Sequence, residues 1–197
     1  MIVLLAHRPG NPESIRDLHD LSHTVQALTG VETKVRSYEE VDDITKGHAF
    51  ILSLAPGGHY EAVKNSLLGK TVRIHGPIPV EILSLHLARI LNWNKCRRAI
   101  IVYWPSHRFK ERHMSSIKKA TELAEKITRY KIMPVGLDEW SLYRGGDECT
   151  VTLSLLQGSR LYNMLKKEDR NVIDGSLLPF SRDLLAVWIT DTVRYNF

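Results

Sequence analysis

Three short patterns in this chain occur twice, about 100 residues apart. Ile2-Val3-Leu4 returns as Ile100-Ile101-Val102, Leu52-Ser53-Leu54 returns as Leu153-Ser154-Leu155, and Pro79 with its leucine-rich helix returns as Pro179 with another. The offsets of 98, 101 and 100 residues need only small insertions. A period this long marks the duplication of a whole folding unit, not a short repeat array. The 197 residues therefore divide into two similar lobes, 1–95 and 96–197.

Each unit reads β-α-β-β-α-β-α. Residues 2–6 are continuously apolar, as a strand covered on both faces must be. Asn11 is a good helix N-cap, Pro12 suits the first helical position, and Glu13 complements the positive helix end. Ile15, Leu18, Leu21, Val25 and Leu28 then recur at helical spacing until Gly30. Strands follow at 31–37, 49–54 and 71–74, with an acidic, irregular stretch at 38–47 and helices after Gly58 and Pro79. The second unit has strands at 99–103, 131–135, 150–155 and 171–173, with helices at 110–129, 161–167 and 181–193. A polar loop spans 138–148. Strands alternating with helices in this order predict an α/β fold of two parallel-sheet, Rossmann- or flavodoxin-like lobes with a cleft between them.

In open parallel sheets, ligands bind beyond the carboxyl ends of the strands. His7 follows the first strand, and His59 follows Leu52-Ser53-Leu54-Ala55-Pro56-Gly57-Gly58. Adjacent strands lie about 4.8 Å apart, so two such side chains can reach one ion. Neutral imidazole ligates cobalt, nickel, iron or zinc and accepts protons near neutral pH. The second unit has Pro105 and Arg160 at the equivalent positions. His75 and His107 also fall in loops near the cleft, whereas His19, His23, His86 and His113 fall on helices and read as structural or exposed.

The net charge of +5 and pI near 9.2 favour an anionic partner. The basic residues are scattered, and the chain has neither a Walker lysine nor a Gly-x-Gly-x-x-Gly loop, so nucleic acid and nucleotides are not the expected partners. Residues 1–6 are too short to serve as a signal segment or to span a membrane, and the expected location is cytoplasmic. Cys96 and Cys149 lack metal-type or redox-type spacing and are expected to be reduced structural thiols.

The stretches Leu5-Ala6-His7-Arg8-Pro9-Gly10, Leu52-Ser53-Leu54-Ala55-Pro56-Gly57-Gly58-His59 and Arg73-Ile74-His75-Gly76-Pro77-Ile78-Pro79 together resemble the class II chelatases, specifically the sirohydrochlorin cobaltochelatase family. Long members of that family are likewise duplicated, with histidines kept in one half. The resemblance implies ATP-independent insertion of a divalent metal into sirohydrochlorin or a related polycarboxylate tetrapyrrole, in cobalamin- or sirohaem-type biosynthesis. The metal is a substrate (cobalt, alternatively iron or nickel), and no organic cofactor is implied. By the same resemblance His7 and His59 bind the metal and take pyrrole protons. Arg8, Gly57, Gly58 and Arg160 meet the substrate, with Arg73 and Arg108 as further carboxylate clamps. Glu40 falls near a family glutamate and is either a metal ligand or proton shuttle, or part of a solvated turn. A chain that supplies both lobes functions as a monomer or homodimer. The alternative is a non-catalytic tetrapyrrole or metal carrier. Here the opening motif lacks the family's flanking glycines and serine.

Overall fold

The computed structural model describes residues 1–143 and 148–195. The first half contains β1 (Ile2–Ala6), α1 (Pro12–Thr29), β2 (Thr33–Ser37), β3 (Lys46–Ile51), α2 (Gly58–Leu67), β4 (Thr71–His75) and α3 (Val80–Trp93). The second half contains β5 (Arg98–Tyr103), α4 (Lys110–Thr128), β6 (Lys131–Gly136), β7 (Cys149–Leu156), α5 (Arg160–Glu168), β8 (Ile173–Leu178) and α6 (Arg182–Arg194), with a 3-10 turn at Trp140–Leu142. The expected element order holds in both halves. Both sheets are four-stranded and parallel, ordered β2-β1-β3-β4 and β6-β5-β7-β8.

The duplication extends to individual bonds. Thr29 and Thr128 each bond back to the carbonyl four residues earlier and accept the N–H two residues later. Gln26 and Glu125 each accept the backbone N–H seven residues ahead, fixing the entry to the next strand. Ser53 and Ser154 each donate to the carbonyl two residues on, the first in the loop after β3 and the second at the end of β7. Gly30 ends α1 at φ 69°, and Arg129 takes the same left-handed position after α4 at φ 62°. Pro77 and Pro179 each stand three residues before a helix, so the structural counterpart of Pro179 is Pro77, where sequence alone suggests Pro79.

The two sheets face each other across one shared apolar layer. Ile2, Leu4, Phe50 and Leu52 from the first half join Ile101, Val151, Leu153 and Leu177 from the second in a single buried cluster. Helices α1, α3, α4 and α6 fill this layer, while α2 and α5 cover the outer faces in two smaller cores. The helices are exchanged. α3 packs on α4 of the other half, and α6 packs on α1. Residue 95 therefore separates the two repeats in sequence but does not separate two independent cores.

His86 of α3 is the polar tie in this layer. It is fully buried, its Nε2 lies 2.9 Å from the Gly175 carbonyl in β8, and its Nδ1 lies 2.9 Å from Ser181 Oγ. A carbonyl only accepts, so Nε2 carries the proton and Nδ1 accepts from the serine hydroxyl. Nearby, Arg89 forms a two-pronged pair with Asp183 at 2.7 and 2.8 Å, again joining α3 to α6. Burial drives the His86 pKa down to about 4, with Arg89 adding to the effect and the Gly175 bond opposing it. An unfolded histidine gains its proton near pH 6.5, while folded His86 resists until about pH 4. Stability therefore falls as pH drops through that window, by on the order of 3 kcal/mol for this residue. Urea unfolding at pH 7 and pH 4.5 is expected to show the loss, and His86→Leu should flatten it while lowering stability at pH 7. An unchanged slope in the variant would refute the assignment.

Two expectations are corrected. The eighth strand was expected at residues 171–173 and lies at Ile173–Leu178, because Asp174-Gly175-Ser176 has the composition of a turn yet forms strand. Asp174 accepts from Gly158 N and Ser176 N, and a side chain at position 175 would collide with the Thr152 backbone. Cys96 and Cys149 are not free thiols: they form a disulfide, with Cα atoms 5.9 Å apart. Cys149 opens β7 and pairs with Ala99 of β5, which brings it beside Cys96 just upstream. Separation in sequence hides this proximity, which only the strand order creates. Part of the expected 138–148 loop, residues 144–147, lies outside the described residues.

No helix among the described residues is long and apolar enough to cross a membrane.

Candidate functional site

In each sheet the strand order reverses direction between the first and third strands, and the crevice beyond that point is where such sheets take ligands. β1 ends at Ala6, so His7 leaves the sheet directly at this crevice. β3 ends earlier than expected, at Ile51; residues 52–57 form a loop, and His59 lies in the first turn of α2. Leu52 N still donates to Leu5 O at 2.8 Å, which carries the loop up alongside β1. Ser53 O then accepts from Ile78 N at 2.8 Å, and Gly57 caps α2 in an extended conformation.

The outcome is a close imidazole pair. The His7 and His59 ring centroids are 4.3 Å apart at an interplanar angle of 68°. Tyr38, the residue after β2, supports both: its ring lies 4.9 Å from His7 and stacks at 6.1 Å over His59. The tyrosine is buried and its hydroxyl donates to Leu52 O at 3.0 Å, tying it to the loop that carries His59. Burial pushes the phenol's pKa up, so Tyr38 stays protonated and holds this bond. Burial also lowers the pKa of His7, reinforced by the charge of His59 and opposed by Glu39. At pH 7 His7 is therefore neutral, the form that ligates a cation or accepts a proton.

The carboxylate near this pair is Glu39. Its own backbone N–H and the Ser37 side chain hold its pKa below the usual carboxylate range, and the fields of His7 and His59 add to that. The expected residue, Glu40, instead accepts from Ser37 N at 3.0 Å, and its charged neighbours are Arg36 and Arg8. Among the described residues, no three His, Cys, Asp or Glu side chains converge as a preformed metal cage. Tyr38 and Glu39 were not singled out from sequence, although the end of β2 beside β1 is the signal that locates them.

Arg8 is exposed next to His7, and among the described residues no hydrogen bond or ion pair engages it. Gly57 is buried, and a side chain there would rest 3.5 Å from His113 Nδ1 and Ser106 Oγ of the other half. Gly58 is exposed, with open space around it. Arg160 opens α5, with its guanidinium 5.6 Å over the ring of Trp104. Arg108 is exposed beyond β5. Arg73 lies in β4, where its charge acts on His48 and His75.

His113 of α4, not His107, crosses between the halves to meet the Pro56-Gly57 turn. Burial lowers its pKa, partly offset by the Pro56 backbone, and its ring stacks with Tyr103. His107 is exposed. The reciprocal contact joins α1 to the loop after β7: Asn11 and Ser14 donate to Gln157 O at 3.3 and 3.0 Å, and Gln157 Nε2 donates to Asp17 at 2.8 Å. His75 is paired inward. Its Nε2 lies 3.0 Å from His48 Nδ1, and it stacks on Phe50.

Among solved structures, the chain is similar to the sirohydrochlorin chelatase SirB from Bacillus subtilis subspecies spizizenii in complex with cobalt, at 10% identity and a TM-score of 0.68, covering 98% of this chain and 94% of that one. It is also similar to SirB from Bacillus subtilis with Fe3+, at 13% identity and a TM-score of 0.65, with the same coverage. No protein-family model matches, and no curated protein matches by sequence. The chain has the two-lobed α/β fold of these SirB structures.

Proposed function

We propose that this protein is an ATP-independent chelatase that inserts a divalent cation into sirohydrochlorin or a related polycarboxylate tetrapyrrole. Cobalt is the first candidate, with iron and nickel as alternatives. The observation that carries the reading is the His7–His59 pair, 4.3 Å between ring centroids, at the strand-order reversal of the first sheet. The fold it shares with chelatases solved with cobalt and with Fe3+ supports the same reading.

Insertion requires a cation held loosely beside the macrocycle and the removal of two pyrrole protons. Closed metal sites have four protein ligands, whereas reactive sites leave positions open. Two imidazoles give a partial ligand set, which the pyrrole nitrogens can displace as they deprotonate. Once the cation leaves, each imidazole nitrogen is free to take a proton. Tyr38 holds the rings in place through the Leu52 bond. Glu39 offers a charge that favours the imidazolium formed at His7 and a path for that proton to solvent. Arg8 and Arg160, which have no acidic partner among the described residues, supply guanidinium groups for the substrate's carboxylates.

Cation binding should follow the protonation of His7. Its lowered pKa places the loss of affinity below pH 6.5, so Co2+ affinity is expected to be flat from pH 7 to 8 and to fall as pH drops beneath 6.5. Calorimetric titration of Co2+ across that range measures this, and a midpoint above pH 7 would remove His7 from the ligand set. The carrier reading draws on the incomplete ligand set. It predicts tetrapyrrole and cation binding without turnover, which absorbance-monitored cobalt insertion into sirohydrochlorin distinguishes.

A further inference from the structure

The second sheet has its own strand-order reversal, between β5 and β7, and a different pair of side chains stands there. Trp104, and not Pro105 as the sequence alignment of the two halves suggests, leaves β5 as His7 leaves β1, and Arg160 opens α5 where His59 lies at the start of α2. We infer that Trp104 and Arg160 form a recognition plate for a conjugated ring bearing a carboxylate, and that this plate decides which macrocycles enter the cleft. The inference rests on the proposed chelatase reading for the identity of the ring, but not for the existence of the plate.

The chemistry of the pair supports it. The Arg160 guanidinium sits 5.6 Å over the Trp104 ring, within cation–π range. Other arginines have acidic partners: Arg89 pairs with Asp183, Arg98 with Glu148 and Arg182 with Asp20. Among the described residues Arg160 has no hydrogen bond and no ion pair, so its fork of N–H donors is unused. Stacking on the indole limits its rotamers in advance and leaves the fork available to a carboxylate. Trp104 is 44% exposed, and among the described residues its indole N–H has no partner. A half-open indole beside an unpaired guanidinium gives one apolar face and one fixed cation, which suits a flat ring with an acid on a short arm.

The plate borders the imidazole pair. Ser106, two residues after Trp104, faces Gly57, two residues before His59. Gly158, two residues before Arg160, faces the Asn11 amide on the chain just past His7. A ring held by its acidic edge on the second lobe would thus present its inner nitrogens toward the first. The duplicated half has exchanged a cation-handling pair for an anion- and ring-handling pair.

The test is titration of metal-free uroporphyrin I, a soluble octacarboxylate macrocycle, followed by its Soret shift. Arg160→Ala is expected to weaken binding about tenfold or more. Arg160→Lys should recover only part, because a point charge lacks the planar fork. Trp104→Ala is expected to cost several-fold and Trp104→Phe much less. Lys126→Ala, an exposed change near the C-terminal end of α4, should bind the macrocycle normally, and Co2+ alone should bind all the plate variants as it binds the parent. Coproporphyrin, with four carboxylates, should discriminate less between parent and Arg160→Ala. Equal affinity of the parent and the Trp104→Ala/Arg160→Ala double variant overturns the plate. Loss of macrocycle binding in the double variant, beside a parent that binds the macrocycle but inserts no metal, would keep the plate and remove the chelatase reading. A KM unchanged from the parent's in a double variant that does insert metal would do the reverse.

Discussion

Reduction of the Cys96–Cys149 bond is expected to lower the stability of the fold by about 4 kcal/mol. The two cysteines are separated by 53 residues, and a cross-link over a loop of that length restricts the unfolded chain by roughly this amount in the chain-entropy description. The closed segment contains α4 and β6, which the bond ties to the base of the second sheet. For a chain of this size the midpoint of thermal unfolding should drop by about 8–16 °C. Urea unfolding with and without reductant, and of Cys96→Ser/Cys149→Ser, measures the difference. Identical midpoints would show that the bond contributes nothing. The bond sits at the starts of β5 and β7, whereas His7 and His59 follow the strand ends of the first sheet, so the folded reduced protein should still bind Co2+. An oxidised pair persists in oxidising compartments and in the cells of hyperthermophiles, which makes the redox state in the source cell informative.

His59→Ala and His7→Ala are each expected to reduce cobalt insertion by about 10²–10⁴-fold, the range that a positioned acid–base group contributes. Both residues stand at the open end of the crevice, outside the apolar cores, so neither change should unfold the protein. The two losses should not add, because the rings act on one cation. Glu39→Gln should slow turnover more than Glu40→Gln, since Glu39 is the carboxylate whose field reaches both imidazoles. Steady-state rates of the four variants check this. A larger effect at Glu40 would mean that the turn at Ser37 rearranges when substrate binds.

The duplication was legible because strands covered on both faces must be apolar throughout, and two copies of the same order confirm each other. Candidate site histidines were legible for a related reason: a strand end in a parallel sheet is a place of known consequence. What was lost followed from three-dimensional neighbourhood. Tyr38 reaches the pair because β2 lies beside β1, and Cys149 reaches Cys96 because β7 lies beside β5. The exchange of α3 and α6 between halves has no local signature, since a helix with an apolar face looks the same whichever partner it packs on. Asp174-Gly175-Ser176 misled because turn-forming residues there serve bonds to the Gly158 loop and to His86. His113 reads from sequence as a structural or exposed helix residue, and its helix abuts the Pro56-Gly57 turn of the other half.

The claim on which the account turns is that the imidazole pair performs metal insertion. Cobalt insertion into sirohydrochlorin without ATP, followed by absorbance, compares the parent with the His7→Ala/His59→Ala double variant. The parent is expected to accelerate the reaction, and the double variant should fall to the uncatalysed rate while still binding the metal-free macrocycle. Equal acceleration by both proteins, or none by either, would contradict the account.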